Sequence, residues 1–379
     1  MLKHVDMSMS EVSKKSADVN GHDSLAAPLK ITSNEVLGDT DYERAVGESQ
    51  DSRKEPAKLN DYLAMTRPDY WLKNIFIIPG LFFALAVYRA PISQTLIFNI
   101  VVGFVSSIFI VSANYVINEY LDAAFDKYHP LKNIRVAVVR AVNPVIVYSF
   151  YFLLALAGLT LGYLISFKFF VTAGFLLFMG IVYNVKPLRS KDRVYMDVLT
   201  ESVNNPIRFA LGWFMVPLAG GYYLDNRWDL EFFDSLPPLS IIIAYWMGGA
   251  FLMATKRFAE YRLIGNPEIA GLYRRSFKFY TENSLLISMF FYALTCAFFL
   301  GIFLVKNRIE MLISFPFFAL LFAWYLKIGL LKNSPVQGKE KLWTRKWFML
   351  YLLIFSALVC LLMFVDIPWL RWFLIKTRN

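Results

Sequence analysis

Asn118, Asp122 and Asp126 stand four residues apart in the run NEYLDAAFD. In a helix that spacing puts all three on one face over about two turns. Asn114 extends the stripe one turn back, and Glu119 lies beside Asn118. Carboxylates that share a face repel one another unless a cation joins them. Hard Mg²⁺ takes such oxygen ligands and usually shares them with a phosphate-bearing molecule. Asn118, Glu119, Asp122 and Asp126 are therefore candidate Mg²⁺ ligands, and Asn118, Asp122 and Asp126 are the first candidates for catalysis. The bland alternative is a solvated helix end neutralised by Lys127 and Lys132.

A second acidic stretch, YMDVLTESVNNPIRFALG, carries Asp197, Glu201, Asn205 and Arg208 at helical spacing within an apolar run. Ionisable groups inside a membrane span are costly and usually face a cavity. Pro206 should break the helix near Asn205. Asp197 joins the catalytic candidates, and Asp197 and Glu201 are candidate ligands of a second Mg²⁺. A purely structural pair, Glu201 with Arg208 or Asp197 with Arg193, is the alternative. Two polar stripes at neighbouring helix ends could clamp a diphosphate between them.

Cations suited to a phosphorylated ligand cluster nearby in sequence. Lys132 and Arg135 follow the first stripe, and Lys186, Arg189 and Lys191 precede the second. Lys256 and Arg257 end an apolar run and are followed by Glu260 and Tyr261. Lys132, Arg135, Arg208 and Lys256 lie nearest the acidic residues in sequence or helical face. Each of these cations could instead be an ordinary membrane anchor.

The elements that must position these residues are membrane helices. Of 379 residues, 57% are hydrophobic and 18% charged, and the mean hydropathy is +0.46. That composition predicts an all-α polytopic membrane protein. About nine spans are expected, near 74–90, 94–117, 143–162, 167–185, 196–222, 238–255, 284–305, 309–328 and 347–365. Residues 1–60 are polar and read as a disordered or loosely attached tail without a secretory signal, ahead of a helical domain over 61–379. Lys and Arg crowd alternate loops, whereas Asp225, Asp229, Glu231 and Asp234 mark another. The positive-inside rule places the tail, the basic loops and the acidic stripes on the cytoplasmic side of an inner or plasma membrane. The net charge of +10 fits contact with anionic lipid, and no soluble basic–aromatic module argues for nucleic acid. Cys296 and Cys360 fall in apolar runs and read as packing side chains.

The chain resembles the UbiA superfamily of intramembrane prenyltransferases, whose first motif has the form NDxxDxxxD. Asn118, Glu119, Asp122 and Asp126 match it with Glu in place of an Asp. Within the superfamily it is most similar to the decaprenyl-phosphate phosphoribosyltransferase branch. The likeness rests on RPDYWLKN at 67–74, DKYHPLKNIR at 126–135, KRFAEYR at 256–262, RRSFKFYT at 274–281 and the segment Asp197–Gly212. It covers about residues 62–330. The resemblance implies a nine-helix bundle, an isoprenoid lipid partner and a diphosphate-bearing donor held through Mg²⁺. The branch implies transfer of a 5-phosphoribosyl group from phosphoribosyl diphosphate to a polyprenyl phosphate. Lys132, Arg135, Lys256, Arg257 and Lys73 would then hold donor phosphates. Val136–Val139, Arg140 and the polar Glu201, Asn204 and Asn205 depart from the branch. They keep open a prenyl diphosphate donor with an aromatic or lipid acceptor. A transporter or a non-catalytic scaffold is the reading from another class.

Overall fold

The computed structural model describes residues 54–217, 235–332, 334–337, 342 and 344–370, with the side chain of Leu72 excepted. Contacts divide the chain into Met1–Gly47 and Glu48–Asn379, and the described residues belong to the second unit. The tail over 1–53 and the acidic loop residues Asp225, Asp229, Glu231 and Asp234 lie outside the described residues. The helical domain is already engaged before residue 60. Pro56 bridges Ala141, and Ala57 N–H donates to Ala141 O at 2.9 Å.

Besides the one-turn helix Val136–Val139, the described residues form twelve α-helices: α1 (Leu59–Met65), α2 (Ile78–Tyr88), α3 (Gln94–Asp126), α4 (Pro144–Ile165), α5 (Phe167–Asn184), α6 (Met196–Ser202), α7 (Asn204–Phe214), α8 (Leu239–Ile264), α9 (Pro267–Tyr273), α10 (Glu282–Asn307), α11 (Phe315–Gly329) and α12 (Lys346–Phe364). Seven segments are long and apolar enough to cross a membrane, and the bent pair Leu59–Trp71 and Lys73–Tyr88 makes up to eight. The described residues are thus all-α apart from one isolated bridge. The chain is an integral membrane protein.

Span boundaries moved for physical reasons. The expected fifth span splits into α6 and α7 at Val203. Pro206 has no N–H to continue the ladder, and its ring clashes with the carbonyl of Ser202 four residues back. The expected sixth span runs nine residues further, to Ile264, and stops where Gly265 adopts φ +68. Lys256, Arg257 and Glu260 therefore lie on α8 and not in the following loop. The second span also continues, so that α3 has 33 residues. At 1.5 Å per residue it is about 50 Å long, against about 30 Å of hydrocarbon. Its last turns project toward the headgroups and carry the first acidic stripe.

Amphipathicity here is inverted. On α10, Ile287, Phe290, Phe291, Leu294 and Phe298 are exposed, whereas Leu285, Ser288, Met289, Tyr292 and Cys296 are buried. The exposed stripe suits lipid, and the buried one packs on α8. Small residues let helices approach closely, as in other membrane bundles. A Cβ on Gly80 would lie 1.8 Å from Phe209 O, and one on Gly212 would lie 2.0 Å from Ile77 O. The reciprocal pair seals α2 against α7. Ser106 Oγ donates to Gly158 O at 2.7 Å where α3 crosses α4.

Candidate active site

The polar residues converge at one end of the bundle, where α3, α5 and α8 finish and α6 begins. An open cavity of about 880 Å³, its mouth included, lies there. It is lined by three carboxylates, Asp122, Asp126 and Glu201, and by eight cations, Arg67, Lys73, Lys132, Arg135, Arg208, Lys256, Arg257 and Arg274. Val111, Leu176 and Met253 give it an apolar wall, and Tyr70, Tyr115, Tyr183 and Tyr273 an aromatic one.

The first stripe is held from α5. A Cβ on Gly180 would lie 2.0 Å from Asn114 Oδ1, so only glycine admits Asn114 there. Asn114 Nδ2 donates to Leu176 O at 3.0 Å. Asn118 Nδ2 donates to Asp122 Oδ2 at 3.1 Å and to Asn184 Oδ1 at 2.5 Å. Asp122 accepts Arg189 Nη2 at 3.1 Å and is in contact with Lys191 Nζ. Lys191 also donates to Asn184 Oδ1 at 2.8 Å. Burial lowers the Lys191 ammonium to about 8, with Asp122 opposing that and Arg189 reinforcing it. Asp126 pairs with Arg135.

Glu260 on α8 ties the loop after α3 to the opposite wall. It accepts Lys132 Nζ at 2.9 Å and Arg257 Nη1 at 2.7 Å. Lys132 also meets the Tyr273 hydroxyl. Burial pulls the Lys132 ammonium down, but Glu260 and Tyr273 outweigh it and hold it above its ordinary value. Beside it, His129 is buried, with Nδ1 accepting Leu131 N–H at 3.0 Å. Burial, assisted by Lys132, pushes His129 down to about 3, so it is neutral at physiological pH.

Asp197 departs from expectation. It is fully buried and does not line the cavity. Its carboxylate accepts Arg257 Nε at 3.2 Å, Ser276 Oγ at 3.3 Å and Tyr280 Oη at 2.7 Å. Burial and the Asp197 charge raise the Tyr280 hydroxyl, which keeps it a donor. Arg257 and Arg274 both donate to Tyr183 Oη, at 3.0 and 3.1 Å. Asp197 is thus a strut for cavity-lining arginines.

Glu119 also turns away from the cavity, toward Arg67 Nη1 at 4.0 Å. One residue beyond Asn118 is about 100° around the helix, so the two cannot share a face. Tyr261 packs edge-on against Phe277 and does not line this cavity. Arg189 acts on the cavity through Asp122 and is not itself part of the lining. The cavity does bring together Asn118, Asp122, Asp126, Lys73, Lys132, Arg135, Glu201, Arg208, Lys256 and Arg257. Among the described residues, no three His, Cys, Asp or Glu side chains form a metal cage.

Sequence reasoning missed Arg67, Tyr70, Tyr183, Asn184, Tyr273 and Arg274 as site residues. Arg67 sits at φ +56 and stacks its guanidinium 4.1 Å from the Tyr70 ring centre. Arg189 and Tyr195 also have positive φ, at +24 and +62. Such strained non-glycine backbone persists where the surroundings over-determine it, often at functional sites. Arg274 stood within the RRSFKFYT run, which was the available signal.

The site is thus a cation-rich cavity built around three carboxylates at one end of an apolar membrane bundle. Comparison with known proteins gives its class. The UbiA prenyltransferase family model matches residues 75–350, and the chain belongs to that family. A decaprenyl-phosphate phosphoribosyltransferase of Mycolicibacterium smegmatis is 24% identical over 245 residues, covering 63% of this chain and 68% of that protein. Among solved structures, a UbiA homolog from Archaeoglobus fulgidus bound to GPP and Mg²⁺ superposes with a TM-score of 0.56 at 19% identity, covering 80% of this chain and 100% of that one. The apo UbiA homolog from Aeropyrum pernix K1 gives 0.53 at 13% identity over 76% and 98% of the two chains.

Proposed function

We propose that the chain is a Mg²⁺-dependent transferase that moves an isoprenoid group from its diphosphate to an acceptor bound in the same cavity. The observation that carries this reading is the cavity itself. One helix face presents Asn118, Asp122 and Asp126 to a basin of cations, and an apolar wall of Val111, Leu176 and Met253 leads away from it. The residues fit Mg²⁺ as a shared ion. Mg²⁺ is usually held by one or two carboxylates plus waters and substrate phosphates, so no protein cage is required. When bound, it would neutralise charge building on the departing diphosphate. Asn118, Asp122 and Asp126 would hold it. Lys132, Arg135, Lys191 and Arg189 would turn from their carboxylates to phosphate oxygens, which accept charge-assisted bonds well. The apolar wall would align the chain and keep water from the electron-poor carbon. The site would open to the cytoplasm, on the side of the basic loops.

A second reading is favoured by the mycobacterial relative and by the excess of cations over carboxylates. In it, a phosphoribosyl diphosphate donates to a polyprenyl phosphate. Equilibrium binding by the purified full chain, with and without Mg²⁺, tests both. The first reading expects Mg²⁺-dependent binding of a prenyl diphosphate. Binding of phosphoribosyl diphosphate alone transfers the assignment to the second, and no binding of either overturns both.

A further inference from the structure

Two segments at the polar end of the bundle carry a surface that the cavity does not use. Residues 185–196 follow α5, and residues 274–281 precede α10. They pack on each other. Tyr195 N–H donates to Tyr280 Oη at 2.7 Å, and the two rings meet edge-on at 5.6 Å. Their inner side is the brace on Asp197, made by Ser276 and Tyr280. Their solvent side has another character. Lys186, Arg193, Arg275 and Lys278 are exposed there. Leu188, Tyr195 and Met196 are exposed as well, and Phe279 is 69% exposed. None of these eight side chains lines the cavity. The one carboxylate in the two segments is Asp192, which Arg189 holds at 3.0 Å.

The chain keeps this surface close to the bilayer. Both α5 and α10 are long and apolar enough to cross a membrane. Lys186 follows the end of α5 by two residues, and Lys278 precedes the start of α10 by four. At no more than about 3.6 Å per residue, both stay within about 15 Å of those helix ends. That is within reach of the head groups and of the field above them. Phe279 leads along the chain into the exposed apolar stripe of α10, which begins at Leu286 and Ile287. Large apolar side chains interleaved with Lys and Arg suit the boundary between acyl chains and anionic head groups. A second copy of this face would set cation against cation, which disfavours a symmetric dimer here.

We propose that this face is a docking surface for acidic phospholipids of the surrounding leaflet, which hold the segment 274–281 down over Asp197. Lipid phosphates accept from Arg193, Arg275 and Lys278, while Phe279 and Met196 enter the acyl boundary. The bound lipid lies outside the cavity. It reaches the cavity only through Tyr280 and Asp197, which position Arg257.

The test follows amide hydrogen exchange in the segment 274–281 of the full chain in detergent, as phosphatidylglycerol or phosphatidylcholine is added. The reporter amides are Phe277 and Phe279, which donate to Arg274 O and Ser276 O. The unaltered chain is compared with Arg193→Gln/Arg275→Gln/Lys278→Gln. A matched control, Lys327→Gln/Lys332→Gln/Arg345→Gln, removes three exposed cations near the α11–α12 connection. Phosphatidylglycerol should slow exchange in the unaltered chain, and phosphatidylcholine should not. The first variant should need about 100-fold more phosphatidylglycerol for the same protection, at about 5-fold for each cation removed. The control should stay within about 3-fold of the unaltered chain. Equal protection by the two lipids, or protection by neither, overturns the proposal. A parallel loss in both variants reduces the effect to attraction by the whole basic side and overturns it as well. Protection that rises with protein concentration in the absence of lipid gives the face to a second copy, against the proposal. No donor enters the experiment, so its outcome is independent of the transferase reading.

Discussion

The two acidic stretches have the same spacing and opposite fates. Asp122 and Asp126 ride the projecting end of α3 and face a cavity, where cations on loops approach them from the open side. Asp197 sits in the first turn of α6, fully buried beneath the segment 274–280, which closes over it with Ser276 and Tyr280. Glu201, one turn on, returns to the cavity. Equal spacing therefore fixes a helix face but not the depth at which each residue meets its neighbours. An acidic residue whose acceptor positions are filled by protein donors becomes a brace. One that faces a cavity beside its cation partners has room to exchange them for a ligand.

The largest expected effect breaks that contrast from the closed side. Asp197→Ala leaves Ser276, Tyr280 and Arg257 Nε without their acceptor, with Glu260 still holding Arg257, and removing one partner of a buried pair costs up to about 3–5 kcal/mol. Thermal unfolding of the detergent-solubilised variant should show this. The milder Asp197→Asn should leave the Mg²⁺ concentration needed for donor binding near that of the unaltered chain. A large shift in that midpoint would return Asp197 to the metal ligands and erase the contrast.

Next comes the open side. Asp122→Asn should keep the fold, because Lys191 and Arg189 retain Asn184 and Asp192 as partners. It should lower transfer activity by about 100-fold, the scale of losing one charge-stabilising group, and raise the Mg²⁺ requirement. An Asp122→Asn protein with full activity and an unchanged Mg²⁺ midpoint would leave the first stripe structural as well.

Much of this was legible beforehand, for reasons that name themselves. Long apolar runs have one stable form in lipid, so α3, α4, α5, α10, α11 and α12 fall close to the expected spans. The stripe on α3 was legible because a spacing of four in a helix is unambiguous. The end of α8 was not, since its charged residues looked like a loop. They stay helical because Arg257 and Glu260 satisfy each other one turn apart and Asp197 and Lys132 complete them. Arg67 and Tyr70 stood out only as part of the run RPDYWLKN. The turn at Arg67 folds them over the cavity, and no local pattern announces a left-handed arginine. The burial of Asp197 was not legible because its donors, Ser276 and Tyr280, lie some eighty residues away.

The loop between the two regions gives a pH test. His129 is held neutral with its value near 3, against 6.5 for the free side chain. A group with a depressed folded value contributes stability that is complete above the unfolded value and is lost as pH falls toward the folded one. Unfolding of the full chain should thus lose about 2 kcal/mol between pH 7 and pH 5 from this residue. His129→Gln should flatten that part of the profile. An unchanged profile would mean that His129 is hydrated and protonated, and that the wall linking Glu260 to Lys132 is open to water.

The smallest effect makes the sharpest version of the comparison, because it lies within the first stripe. Glu119 is buried, adjacent to Asn118 in sequence and part of the family motif by position, yet it faces Arg67 and Arg135 from outside the cavity. Glu119→Gln preserves its shape and removes only its charge. The Arg67 contact is long at 4.0 Å, so the loss to stability should be about 1 kcal/mol or less. Donor affinity and its Mg²⁺ midpoint should change less than about 3-fold, against the much larger shift expected at Asp122. If Glu119→Gln instead matches Asp122→Asn, then α3 must rotate or unwind when the donor binds. The face seen here would then be the resting arrangement, and the motif would be read by charge and not by side-chain direction.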